Sequence, residues 1–148
     1  MKVDWDARRT ELEQIRLSRG GQLDPAVVVE KAENPKSSLH DWFEWDETEA
    51  AYQHNLNRAR KLIKVCVTVL SPDTEPVPMY VSLYNDRGAG GYRPLTEVLG
   101  DAQQRELLIT QATKEFQRWE LKYHQLIELA DVFAAMKKVR KRRVKQTA

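Results

Sequence analysis

"SSLHDWFEWDETEAAYQHNLNRARKLIK", residues 37–64, is the stretch whose reading decides the fold of this chain. Residues 39–47 hold three large aromatics and four acids, and the stretch then turns into a basic helix. Trp42, Phe43 and Trp45 read as anchors that close a helical corner, since one such side chain buries about 150–250 Å². A stacking platform for single-stranded bases would instead need cationic neighbours to track the phosphates. The neighbours are Asp41, Glu44, Asp46, Glu47 and Glu49, which repel phosphate. These acids read as caps and solvated surface. Asp46, three residues ahead of Glu49, predicts the N-cap of the following helix. Ala51, Leu56, Ala59, Leu62 and Ile63 predict its buried face. Its charges run from Glu47 and Glu49 at the start to Arg58, Arg60, Lys61 and Lys64 at the end, the order that the helix dipole favours.

Upstream, "ARRTELEQIRLSR" (7–19) predicts a helix with Leu12 and Ile15 on a different face from Arg16 and Arg19, ended by Gly20-Gly21. "LDPAVVVEKAEN" (23–34) predicts a second helix with Asp24 as N-cap and Pro25 at its first position, where a missing N–H costs nothing. Asn34-Pro35 stops it. "SSLHDWF" predicts a short third helix, which makes residues 24–44 a helix-turn-helix-like pair. A recognition helix there would offer only Ser37, Ser38 and His40, with Lys36 before it.

Downstream the period changes to two. "KVCVTVL" (64–70) and "PMYVSLY" (78–84) predict a hairpin with a Pro-rich loop, "NDRGAGG" (85–91) a mobile glycine loop, and "YRPL" (92–95) a brief third strand or an extended link. The glycine loop is no phosphate cradle, because no helix N-terminus follows it directly. From Thr96 the chain predicts helix to near its end, with a break at Gly100-Asp101. Phe116, Trp119, Tyr123, Leu126, Ala130 and Phe133 form a heptad-like stripe on it. Packing onto the body or pairing with a second copy are both open. The expected fold is mainly α with a small β-hairpin (α+β): a helical N-terminal domain over 1–100, and a long helix with a basic tail over 101–148.

The composition fits that plan. At 148 residues, 41% hydrophobic and 31% charged, the chain suits one globular domain or a small core with a helical arm. No run approaches a membrane span, and "MKVDWDARRTELEQIRL" lacks the apolar stretch of a signal peptide, so a cytosolic protein without a membrane partner is expected. Cys66 is the single cysteine, which excludes an internal disulfide and reads as a half-buried strand residue. His40, His54 and His124 are isolated, and no nucleophile-elbow, P-loop or His-Glu-x-x-His pattern occurs. No catalytic residue, metal or cofactor is expected.

The charge is unevenly placed. Net charge is +2, yet "KKVRKRRVK" (137–145) carries seven basic residues in nine, which leaves the rest at −5. Such density has no folding benefit and points to a polyanion, here duplex DNA contacted through phosphates by Lys137, Lys138, Arg140, Lys141, Arg142 and Arg143. Arg8, Arg9, Arg16 and Arg19 on the first helix, Arg58, Lys61 and Lys64 on the fourth, and Lys36 would extend the positive surface if the two helices pack side by side.

The segment "GGQLDPAVVVEKAENPKSSLHDWFEWDETEAAYQHNLNRARKLI", followed by "GGYRPLTEVL" and a long charged helix, resembles a family of small proteins of tailed bacteriophages and prophages over about residues 10–136. "SSLHDWFEWDETEAA" and "GGYRPL" are the distinctive parts. The resemblance implies a phage genome and the cytoplasm of a bacterial host as the setting, and it supplies no catalytic residues. The basic tail lies outside it. The expected function is a non-enzymatic DNA-binding protein, regulatory or architectural, dimeric through the helix from about 101 to 139. The alternative is an adaptor that binds a host or phage protein through the acidic, aromatic corner or the helical seam.

Overall fold

A computed structural model of the chain describes residues 2–147. The fold is mainly α with small β-hairpins: among the described residues there are six α-helices and four strands of two residues each. The chain divides into two compact units, Met1–Ala102 and Gln103–Ala148.

Unit 1 starts with α1 (Trp5–Ser18), whose N-cap Asp4 accepts from the Ala7 N–H at 3.0 Å. Leu12 and Ile15 are buried as expected, but so are Arg8 and Arg16. Spacings of four place Arg8 and Arg16 one turn to either side of Leu12, so they share its inward stripe instead of forming a separate face. Gly20 and Gly21 then take φ of +76° and +96°, which lets the chain turn sharply out of the helix. In α2 (Pro25–Ala32), Asp24 caps the Ala26 N–H at 2.9 Å and Val28, Val29 and Ala32 face the core. The helix packs against both α1 and α3 (Glu49–Val65).

Between α2 and α3 the expected short third helix is a single 3-10 turn, His40–Trp42. Two reciprocal pairs fasten this corner to α3. Trp42 donates its indole N–H to the Arg58 carbonyl at 2.9 Å, and Arg58 Nε donates to the Trp42 carbonyl at 2.6 Å. Buried Asn55 donates to the Glu44 carbonyl at 2.6 Å and accepts from the Glu44 N–H at 3.1 Å. Phe43 and Leu39 fill the core beneath, so the aromatic stretch is the joint that the sequence suggests. Trp45 departs from that reading: it is 39% exposed, with its ring stacked on His40 and its N–H on the His40 carbonyl. The cap of α3 is Thr48 rather than Asp46, its hydroxyl accepting from the Ala51 N–H at 3.1 Å. Thr48 stands three residues before Ala51, the reach that a side-chain cap needs.

Helix α3 runs on to Val65, which leaves little of "KVCVTVL" for a strand. Strand β1 (Val67–Thr68) pairs antiparallel with β2 (Val77–Pro78), and β3 (Tyr80–Val81) with β4 (Arg93–Pro94). "PMYVSLY" is therefore shared between two small sheets, and "YRPL" supplies a strand. Tyr92 adds a two-way bridge to Leu23 at 2.9 and 3.0 Å. The glycine loop contains a 3-10 turn, Tyr84–Ala89. Buried Asp86 accepts from Arg93 Nε and Nη2 at 2.6 and 2.9 Å and closes the loop at its base. A Cβ at Gly91 would come within 2.0 Å of Gln22 Oε1, so the end of that side chain would have to move aside. Cys66 ends α3 in the core, 1% exposed, its thiol directed at the Leu62 carbonyl at 3.3 Å. Burial pushes this thiol's pKa up. The half-buried strand cysteine expected is a fully buried helix cap.

The long C-terminal helix is interrupted twice. Helix α4 (Leu95–Gly100) closes unit 1, and α5 (Ala102–Tyr123) starts at the break expected at Gly100-Asp101. A second break at His124–Leu129 leads into α6 (Ala130–Thr147). It contains neither Gly nor Pro. His124 Nδ1 lies 3.0 Å from the Leu121 carbonyl and Gln125 donates to that of Lys122, so side chains serve the orphan C-terminal carbonyls of α5. Trp119 lies 5.3 Å from Tyr123 and 5.5 Å from Phe133, ring centre to ring centre. The stripe is thus folded upon itself at a helical hairpin and does not run along one continuous helix.

Candidate nucleic-acid interface

The seven cations of residues 137–145 are all on α6 and are sorted by it. At about 100° per residue, Lys137, Lys138, Lys141, Arg142 and Lys145 fall within an arc of about 140°. All five are exposed and none forms an ion pair with another described residue. Arg140 and Arg143 lie on the other side of the helix. Arg140 pairs with Glu120 of α5 at 2.7 Å, and Arg143 pairs with Glu106. Trp119 meets Phe133 near the turn and Glu106 meets Arg143 far from it, so α5 and α6 run antiparallel. The tail is therefore a cationic helix face, and two of its six named candidates hold the hairpin. Lys145 belongs to the face, and the helical period carried on past Arg143 is the signal that identifies it.

The arginines expected on unit 1 are differently employed. Arg8 is 4% exposed; its guanidinium lies against both the Trp5 and Trp42 rings, 5.2 and 5.3 Å from their centres. It donates to the Ser38 carbonyl at 3.2 Å and to Asp41 at 2.8 Å. Arg58 is half-buried, bonded to the Trp42 carbonyl and 3.6 Å from Glu44. Arg9 pairs with Asp6, and Arg19 with Glu30 at 3.7 Å. Lys36, Lys61 and Lys64 are exposed, the first in the loop after α2 and the other two on α3. Arg8, Arg16 and Arg58 are drawn into the corner and the core, and Arg9 and Arg19 are paired with acids, so the first and fourth predicted helices do not present one continuous positive face.

Arg16 belongs to a polar knot under α1. Its fork bonds Glu13 at 2.9–3.2 Å, the Gly21 carbonyl at 3.2 Å and Glu97 at 3.4 Å, while the Tyr80 hydroxyl donates to Glu13. Burial alone would raise the Glu13 pKa; hydrogen bonds from Arg16 and Tyr80 and the guanidinium charge outweigh it, and the carboxyl titrates below its usual range. Burial, then the bond to Glu13, pushes the Tyr80 hydroxyl far up. The knot is a charge-satisfied part of the fold.

Counting by unit, residues 1–102 hold 13 basic and 17 acidic residues, and residues 103–148 hold 11 and 5. The units thus carry −4 and +6. Among the described residues no group of three or more His, Cys, Asp or Glu is arranged to hold a metal ion, and no helix is long and apolar enough to cross a membrane. No family model, curated protein or solved structure matches the chain.

Proposed function

We propose that the chain is a non-enzymatic DNA-binding protein, regulatory or architectural, that grips duplex DNA mainly through phosphates with the outer face of α6. It acts as a homo-oligomer in the cytoplasm of a bacterial host, within the phage family that its sequence resembles. The observation that carries this reading is the row of five exposed cations on one side of an 18-residue helix, none of them in an ion pair with another described residue. Lys137, Lys141 and Lys145 follow one another at about 6 Å along the axis, with Lys138 and Arg142 beside them, which suits a phosphate backbone. Affinity then comes from counterion release and falls with salt, with a log–log slope of up to about 4.5 for five contacts. A gel shift with random-sequence duplex tests it: binding is expected at about 50 mM salt and a steep loss by about 200 mM. Absence of a shift at the lower salt sinks the reading.

The adaptor reading draws support from Trp45, a partly exposed indole in a segment with Asp41, Glu44, Asp46 and Glu47. It predicts that Trp45→Ala abolishes capture of a protein partner from infected cells, after nuclease treatment, without lowering the melting temperature by more than a few degrees.

A further inference from the structure

Helices α5 and α6 run antiparallel, yet the faces they turn to each other are not closed. Between them lies a groove of about 370 Å³, walled by Ile109, Ala112 and Phe116 on one side and Val132, Met136 and Val139 on the other. Phe116 sits at the centre of the inward stripe of α5 and is still 54% exposed; Val132 and Val139 opposite it are 46% and 41% exposed. Among the described residues of unit 2 only Gln111 and Phe133 are buried. A unit of this length with so few buried side chains has no core of its own, and oligomerising is one of the ways in which a small unit completes one.

We infer that the open hairpin is half of a four-helix bundle, and that the hairpin of a second copy completes it, groove to groove about a two-fold axis. The inference rests on the reading of the chain as a homo-oligomer and names the surface. A face two helices wide and as long as α6 measures roughly 20 Å by 27 Å. Two such faces remove on the order of 1,000 Å² from solvent before their depth is counted, which reaches the lower bound for a specific interface. An isologous arrangement supplies each groove with the same apolar side chains that it lacks. Charge permits it as well. The rim cations Arg140 and Arg143 are neutralised within each copy by Glu120 and Glu106, and Lys137, Lys141 and Lys145 lie away from Val132, Met136 and Val139 around α6. Lys137, Lys141 and Lys145 therefore stay outside the bundle, on two basic faces where binding one duplex twice raises avidity.

Light scattering on the full chain tests the inference, read together with far-UV circular dichroism. The wild type is expected at twice 17.2 kDa at micromolar concentration. Phe116→Lys and Val139→Lys, on opposite walls, are each expected to give the single mass with unchanged helicity, since both positions are already half exposed in one copy. Leu121→Lys is the control: Leu121 is 75% exposed but on the far side of α5 from the groove, and its mass should stay doubled. A wild type at the single mass at every concentration overturns the proposal and gives the groove to another occupant. So does a doubled mass retained in both wall variants, or lost in Leu121→Lys. The measurement contains no DNA, so a missing gel shift leaves this inference standing, and a monomeric wild type leaves the DNA reading to be judged on its own.

Discussion

Helix α1 and helix α6 both look basic in sequence, and they use their cations in opposite ways. Arg8, Arg9, Arg16 and Arg19 are interleaved with Asp6, Glu11 and Glu13, Arg8 also packs on Trp5 and Arg19 meets Glu30, so each has an anion, a carbonyl or an indole within reach. A guanidinium can be buried only when its donors are satisfied, and here they are. On α6 no acid follows Asp131, so five cations have no partner on their own helix and stay in water. Interleaved charge builds the fold, whereas unrelieved charge is left for something outside it.

The sharpest way to break this contrast is to remove the charge from α6. Replacing Lys137, Lys138, Lys141, Arg142 and Lys145 with Gln is expected to take up to about 4.5 from the salt slope on duplex DNA, measured by titration across salt concentrations. Binding should vanish at moderate salt with little change in melting temperature. An unchanged slope would move the binding surface to unit 1.

Within unit 1, Trp42→Ala should cost about 3–5 kcal/mol in urea unfolding, because Trp42 holds the reciprocal bond to α3 and one wall around Arg8. Trp45→Ala, at an exposed stacked ring, should cost about 1 kcal/mol. Equal costs would mean that both tryptophans are core. Arg8→Ala is expected to lose about 2 kcal/mol, and Arg8→Lys to restore little of it, since a lysine cannot present the planar fork that packs on both indoles and reaches Ser38 and Asp41 together. The salt slope on DNA should not change in either variant. A changed slope would return Arg8 to the interface.

The smallest effect is set by pH. The Glu13 carboxyl is held below its unfolded pKa, so its stabilisation is complete above about 4.5 and disappears as pH falls through the lower folded value. Glu13→Gln should remove about 1–2 kcal/mol near neutral pH and flatten the loss of stability below pH 4.5. Parallel pH curves for the variant and the wild type would show that Glu13 is not the group responsible.

How much of this was legible in sequence depended on whether partners were near in the chain. Asp24-Pro25, Gly20-Gly21 and the apolar positions of α3 are local signals, and the elements they predict are present. The burial of Arg8 rests on Asp41, far along the chain, and Arg16 adds Gly21 and distant Glu97 to its local pair with Glu13, partners that no short window can show together. The second break in the C-terminal helix had a faint signal. Lys122 precedes it and Asp131 follows it, with His124 and Glu128 at its two ends, the order of charges that suits one helix ending and another starting. The heptad count ran across that break because apolar spacing alone does not register a turn built from His and Gln side chains. At the candidate interface the cationic density was plain from composition, while the division into five outward and two inward cations required the position of α5.

Cys66 makes the chain its own unfolding reporter. A protein with a single thiol, enclosed at the end of α3 with its pKa raised by burial, offers a thiol-specific reagent almost no thiolate until the core opens. The labelling rate of wild-type protein under native conditions then measures how often unit 1 opens at that point. Conversely, a cysteine introduced on the outer face of α6 can be modified with a fluorophore or a spin label over a silent background.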